Sequence, residues 1–159
     1  MNIKRCKNSL LFTVILEMIT FLNPVAAQQY TATLDINEVE NDQLAVTVTT
    51  PKVEGKKLLY VFPKIVPGTY DQSDYGRYIS NFKAFDANGK KIKVKKNDVN
   101  SYRIKKSNSV ARVSYTVDDT WDDFQSNYIF QPGGTNFDAG EEFVFNNFGL
   151  FGYFNGYSN

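Results

Sequence analysis

The chain has 159 residues, a length that suits one domain with a hydrophobic core of its own. Its 18 basic and 17 acidic residues nearly cancel, which excludes the strong basic excess that a nucleic-acid-binding surface needs. It contains no histidine, so it lacks the commonest general base and the commonest zinc ligand. Aromatic residues make up 15% of the chain and favour β structure, because they fit the pleated, half-buried surface of a sheet.

Residues 1–27 have the pattern of a signal peptide. Three basic residues precede an apolar run over 10–22, Asn23-Pro24 interrupts it, and the small residues at 25–27 match a signal peptidase site. The run has about 13 residues, whereas a membrane span needs about 20. We therefore predict cleavage after position 27, export to the periplasm or the extracellular space, and no membrane contact afterwards. The single cysteine, Cys6, precedes the run, so the mature chain has no disulfide.

Short runs of alternating polar and apolar residues follow in chain order and predict strands. Residues 30–36 and 44–50 are separated by a polar turn and are expected to form a hairpin, and the more apolar 57–62 predicts a central strand. Asn88-Gly89 is a hairpin signal between 82–87 and 90–95. Further short strands are expected at 102–104 and 110–117.

The spacing of Tyr75, Tyr78, Ile79 and Phe82 predicts a short helix, although Gly76 lies inside it. The strand pattern breaks over 118–140. Taken together, these elements predict an all-β fold, an antiparallel β-sandwich of short strands with a long irregular loop region.

Two charged clusters each have a structural and a binding interpretation. Lysines alternate with Ile92 and Val94, which is typical of the solvated face of a strand that resists edge pairing; the alternative is a site for a polyanion. Acidic residues surround Trp121 in what we interpret as a solvated turn; the alternative is a calcium site. The clusters are Lys90, Lys91, Lys93, Lys95 and Lys96, and Asp118, Asp119, Asp122 and Asp123.

The end of the chain is strongly apolar. Residues 143–159 contain seven aromatic residues and no charge, whereas chain ends are usually polar and frayed. Such an end either forms a core strand or exposes a large apolar patch, and exposed patches of that kind mark interfaces or aggregation hazards. We therefore expect a neighbouring domain to cover it, and the chain to stop within a larger protein.

Residues 63–70 have the sequence Pro-Lys-Ile-Val-Pro-Gly-Thr-Tyr, and Tyr-Gly-Arg-Tyr-Ile follows at 75–79. This pattern resembles the N-terminal domain of the glycyl-aminopeptidase type of zinc metallopeptidases, the M-sixty-one peptidase family. The family's typical run is Pro-x-Trp-x-Pro-Gly-x-Tyr, followed by an aromatic-x-Arg segment. Ile65 replaces the usual tryptophan, and the matching residues are Pro63, Pro67, Gly68, Tyr70 and Arg77. The resemblance covers about 30–155.

The resemblance implies that 28–159 is the non-catalytic N-terminal β domain of a secreted zinc aminopeptidase-like protein, truncated at its C-terminal end. Family members join such a domain to a catalytic domain with an H-E-x-x-H motif, whose histidines bind zinc and whose glutamate polarises the attacking water. Without histidine, this chain matches none of those positions, so we assign no catalytic, cofactor-binding or metal-binding residue. Zinc is expected in the absent downstream catalytic domain. We expect 28–159 to pack on that domain and bound its peptide-substrate cleft.

The five matching residues have two interpretations. In the structural one, which we favour, the prolines and Gly68 shape a turn, Tyr70 packs over it, and Arg77 pairs with Asp71 or Asp74. In the other interpretation, the loop faces the substrate cleft and Arg77 binds a substrate carboxylate through two hydrogen bonds.

Two other functions remain open for the whole chain. The first is a self-contained exported β-sandwich module that binds peptides or glycans, with aromatic side chains as a stacking platform rather than a core. The second is an independent hydrolase, which would depend on a Ser–Lys pair or on paired carboxylates. No spacing singles out such a pair.

Overall fold

The structure is a computed structural model that describes residues 29–123 and 128–158. The predicted signal peptide, 1–27, lies outside the described residues. None of the helices in the described ranges has the length and apolar character needed to cross a membrane.

Eleven strands form in the described part of the chain, with one short α-helix, α1 (Asn147–Leu150), near its end. Single turns of 3-10 helix lie at Ile36–Glu38, Tyr75–Tyr78, Ser107–Ser109 and Gln131–Gly133. The strands are β1 (Thr31–Leu34), β2 (Gln43–Thr49), β3 (Leu59–Val61), β4 (Ile79–Phe85), β5 (Lys91–Ile92), β6 (Val94–Asp98), β7 (Ser101–Ile104), β8 (Arg112–Asp118), β9 (Asn136–Asp138), β10 (Glu142–Val144) and β11 (Tyr153–Phe154).

The strands form two main antiparallel sheets and a separate β9–β10 ribbon. The larger sheet has the order β1-β2-β8-β4-β5, and the smaller has the order β11-β3-β7-β6. Side chains from both sheets fill one core; the Phe62 ring, for example, lies 5.1 Å from that of Tyr115 on β8. The predicted all-β sandwich is therefore confirmed.

The alternation in the sequence matches the two faces of the larger sheet. Leu44, Val46 and Val48 on β2 are buried and face the core, while the residues between them are exposed or half-buried. The hairpins predicted at β1–β2 and β4–β5 are confirmed, and β3 lies inside its sheet, as its apolar character predicted.

The helix predicted from Tyr75 to Phe82 is wrong beyond its first turn. Residues Tyr75–Tyr78 form a 3-10 turn, and the chain then becomes β4 at Ile79, which pairs with Val117 of β8. Pairing with β8 gives the backbone amides and carbonyls hydrogen-bond partners, whereas a helix here would be weakened by Gly76. The tertiary contact with β8 therefore outweighs the helical spacing of the side chains.

The apolar end of the chain is largely built into the core. Leu150 and Phe154 are fully buried, and β11 adds a strand to the edge of the smaller sheet beside β3. Phe145 and Phe148 remain 42% and 40% exposed. The expectation of an open apolar edge therefore applies to these two side chains and not to the segment as a whole.

Candidate functional site: an apolar face around the Pro-Gly-Tyr loop

The Pro-Gly step of the family motif forms a tight turn. The Thr69 amide donates a hydrogen bond to the Val66 carbonyl at 3.2 Å, and Gly68 between them has φ +93°. Pro67 followed by a residue with positive φ is the signature of a type II turn. The Thr69 hydroxyl donates to the same carbonyl at 2.8 Å, which fixes the turn further.

The ends of the motif loop are held together by backbone hydrogen bonds. The Ser73 and Asp74 amides both donate to the Lys64 carbonyl, at 2.7 and 3.0 Å. Between these ends, Ile65 is 51% exposed and Tyr70 is fully exposed. The predicted packing of Tyr70 over the turn is therefore wrong: its backbone takes a left-handed φ of 55°, and the chain leaves the turn with this side chain in solvent.

Gly76 allows the 3-10 turn after the loop to lie directly against the β6–β7 connection. A Cβ atom at this position would lie 2.3 Å from the Val99 carbonyl oxygen and 2.5 Å from the Asn100 Cα. The Gly76 amide instead donates to the buried Asn100 Oδ1 at 2.9 Å, and Asn100 Nδ2 donates to Asp74 at 2.6 Å. These contacts fix the loop and the turn to the sandwich.

Arg77 binds Asp123, not Asp71 or Asp74 as we expected from the sequence. Its Nη1 lies 3.6 Å from Asp123 Oδ2, its Nε donates to the Ser73 carbonyl at 3.1 Å, and its guanidinium stacks 4.6 Å from the centre of the Tyr78 ring. The expected partner Asp74 already accepts hydrogen bonds from Gln72 and Asn100. Arg77 therefore links the motif to a segment about 45 residues later in the chain.

The Tyr78 hydroxyl completes this group by donating to Asp123 at 2.7 Å. Burial raises the pKa of Tyr78 well above its ordinary value, and the hydrogen bond to the Asp123 carboxylate raises it further. Tyr78 therefore stays protonated and acts as a hydrogen-bond donor, and we assign it no acid–base role.

Tyr75 connects three segments that carry exposed apolar side chains. Its hydroxyl donates to the Gly133 carbonyl at 2.5 Å, and its ring lies close to Gly149 of α1. Gly133 in turn lies near Thr69 of the motif loop, and Ile129 packs with Tyr75 and Tyr78 in a small buried cluster. The motif loop, residues 128–134 and α1 therefore meet around one buried ring.

These three segments present five apolar side chains to solvent, each at least 40% exposed. Large apolar side chains exposed near one another on a domain surface mark an interaction site. We call this set the motif face; it consists of Ile65, Tyr70, Tyr128, Phe130 and Phe148. Sequence analysis found Tyr70 and the apolar end, but it missed Tyr128 and Phe130, which lie in the irregular segment and follow no strand or helix period.

The acidic cluster around Trp121 is divided among separate partners. Asp118 accepts from Gln43 Nε2 at 2.7 Å, and Asp119 accepts from the amides of Trp121 and Phe137 at 2.5 and 2.8 Å. Burial raises the pKa of both carboxyl groups. Within the described ranges, no three or more of the residue types that bind metals are grouped to hold an ion.

Comparison with known proteins identifies the class to which this fold and loop belong. The family model of the Peptidase M61 N-terminal domain matches residues 31–159. The chain therefore belongs to that peptidase family, and it carries the family's N-terminal domain, as the Pro-Gly-Tyr and arginine pattern predicted.

A solved structure has the same fold. The aminopeptidase N family protein from Idiomarina loihiensis superposes with a TM-score of 0.60 at 22% sequence identity. The match covers 80% of this chain and 20% of that protein, so the chain spans about a fifth of the length of the solved relative. No curated protein matches the chain.

Proposed function

We propose that this chain acts as the non-catalytic N-terminal domain of a longer, exported zinc aminopeptidase-like protein. In that protein, it packs on the downstream catalytic domain through the motif face and bounds the peptide-substrate cleft. The observation that carries the proposal is the position of that face: its exposed apolar side chains lie on and around the Pro-Gly-Tyr loop, within the residues that the family model matches. The solved relative is about five times longer than the matched part, which leaves room for such a partner.

Burial of the motif face would contribute substantial binding energy. Apolar surface contributes about 25 cal/mol for each Å² removed from water, and large aromatic side chains dominate most interfaces. Tyr128 and Phe130 are 63% and 62% exposed, so most of each ring is available to a partner. The closed ends of the motif loop keep Ile65 and Tyr70 in place before docking, which lowers the entropy lost on binding.

The proposal on export rests on the residues at 1–27, with their basic start, short apolar run and small residues at the cleavage site. N-terminal sequencing of the protein recovered from the periplasm or the medium tests it. A chain beginning at residue 28 supports export, and a cytoplasmic chain that retains Met1 contradicts it.

The docking proposal is tested in the full-length gene product with the double variant Ile65→Asp/Phe130→Asp. Both side chains are exposed, so the domain itself should fold, but charges in the interface would separate it from the catalytic domain. We expect kcat/KM on an aminoacyl p-nitroanilide to fall by about tenfold or more. Limited proteolysis should then cut between the two domains.

The control is Ala87→Asp, which places one such charge at an exposed position in the β4–β5 turn, away from the motif face. It should leave both activity and the proteolysis pattern unchanged. Full activity of the double variant, or a gene without a zinc-motif domain after position 159, would contradict the proposal.

A further inference from the structure

A groove of about 560 Å³ lies where β5 and the β5–β6 connection meet the loop before β3 and the loop after β7. Its lining combines lysines with one carboxylate, Asp86, one apolar residue, Ile92, and one hydroxyl, Ser109. We call it the lysine groove. Its lysines are Lys56, Lys57, Lys90, Lys91, Lys93, Lys105 and Lys106.

Backbone hydrogen bonds hold the three lysine-bearing segments together. The Lys106 amide donates to the Lys56 carbonyl at 2.8 Å, and the Lys105 amide donates to the Lys93 carbonyl at 3.0 Å. The buried Ser107 hydroxyl adds two bonds to the loop before β3, since it accepts from Leu58 and donates to Gly55. The positive charges therefore sit on a fixed frame and not on independent loops.

The charge in the groove is not neutralised within the described residues. All seven lysines are exposed, and none of them forms a salt bridge with a carboxylate of residues 29–123 or 128–158. Asp86 uses its Oδ1 to accept the Asn88 and Lys90 amides, both at 2.9 Å. The whole chain has a formal net charge of only +1, so the positive charge is concentrated in the groove and does not reflect a generally basic surface.

Protection of sheet edges explains part of this cluster. β5 and β6 are the edge strands of the two sheets, and lysines on such strands discourage pairing with other chains. The same reason does not apply to Lys56, Lys57, Lys105 and Lys106, which lie on loops and not on an edge strand. Lys106 even occupies a left-handed position, φ 56°, that favours glycine or asparagine. The loop lysines need another explanation.

We propose that the lysine groove binds a linear anionic polysaccharide. A concave groove admits a chain, whereas a flat membrane surface cannot enter it. Among the residues that the structure describes, the lining includes neither an aromatic residue nor an arginine, so it lacks the stacking surface on which single-stranded nucleic acids depend. Ile92 and the methylene stems of the lysines provide an apolar floor for sugar rings, and the ammonium groups meet sulfate or carboxylate groups above it.

The proposal is tested on the full-length gene product with fluorescein-labelled heparin and polygalacturonate, by anisotropy over a series of salt concentrations. The test variant is Lys56→Gln/Lys105→Gln, and the control is Lys52→Gln/Lys83→Gln, two exposed lysines outside both the groove and the motif loop. Exposed ion pairs contribute little individually, so we expect about a tenfold weaker Kd for the groove variant and about the wild-type Kd for the control.

Three outcomes would overturn the proposal. Equal weakening by both variants would mean diffuse attraction to the whole surface. Tighter binding of a single-stranded DNA oligomer or of anionic lipid vesicles than of either polysaccharide would assign the groove to another partner. If neither polysaccharide binds at low salt, the groove is not a polysaccharide-binding site. Thermal unfolding of both variants provides the folding check, and neither variant changes the motif face, so failure here leaves the domain-docking proposal intact.

Discussion

At the scale of single residues, Gly76 shows that the absence of a side chain can be what allows two backbone segments to touch. Its backbone φ lies outside the left-handed range, so the position needs glycine for space and not for conformation. The nearest atoms to a Cβ there are backbone atoms of Val99 and Asn100, which cannot move aside as a flexible side chain would.

We expect Gly76→Asn to lower the free energy of unfolding by about 1–3 kcal/mol, the usual cost of overpacking. Gly89→Asn is the matched control, because Gly89 has φ +76° but no neighbour within 4 Å, and asparagine tolerates that conformation. Urea unfolding of both variants measures the difference. Equal losses would show that the Val99 contact does not limit position 76.

Arg77 illustrates what sequence reasoning at this scale could and could not supply. The residue type correctly indicated a partner carboxylate. The nearby Asp71 and Asp74 were the natural candidates, yet the pair forms with Asp123, which only the packing of the irregular segment brings near. The choice among several carboxylates depends on tertiary structure that no local spacing encodes.

At the scale of elements, the four residues of α1 include one fully buried side chain and one that is partly exposed. Leu150 is fully buried, and its carbonyl accepts the Tyr115 hydroxyl at 2.8 Å, while Phe148 is 40% exposed on the motif face. The helix therefore both anchors the end of the chain and presents a side chain to a partner.

Leu150→Ala should lower the free energy of unfolding by about 2–5 kcal/mol, as expected for a large-to-small change in a core. Phe148→Ala removes more atoms but should cost the isolated domain less than Leu150→Ala does, because Phe148 is 40% exposed. Thermal unfolding of the two variants tests this order. A larger loss for Phe148→Ala would contradict the assignment of the motif face as a surface.

The elements that sequence reasoning located correctly are those with a regular period. The alternation in β2 and β8 and the Asn88-Gly89 turn depend on contacts between neighbouring residues, which local patterns record. The 3-10 turn at Tyr75–Tyr78 and residues 128–134 depend on what packs against them. For the same reason, two of the five residues of the motif face, Tyr128 and Phe130, escaped prediction, although the family motif itself was visible.

At the scale of the whole molecule, tyrosine hydroxyls hold the end of the chain to the centre of the sandwich. Tyr60 donates to the Gly152 carbonyl at 2.7 Å, and Tyr115 donates to Leu150. Burial raises the pKa of both hydroxyl groups above the ordinary value of 10.0. Since the folded pKa exceeds the unfolded one, their contribution is complete below pH 10 and is lost as the pH rises further.

We therefore expect the urea midpoint to begin to decrease near pH 10 and to be lower at pH 11 than at pH 8. The variant Tyr60→Phe/Tyr115→Phe should be less stable at pH 8, by about 1–3 kcal/mol for two hydrogen bonds, but should lose less stability as the pH rises. The same pH dependence in wild type and variant would show that other groups control alkaline unfolding.

The pairing of β11 with β3 also has a consequence for synthesis. Tyr60 and Gly152 are 92 positions apart, and a ribosome adds about 5–20 residues per second, so the partner of β3 emerges on the order of 5–20 s after it. During that interval, one edge of the smaller sheet has unpaired backbone amides, and the Tyr60 ring is not yet covered. That edge stays open to pairing with another chain until β11 arrives and covers it.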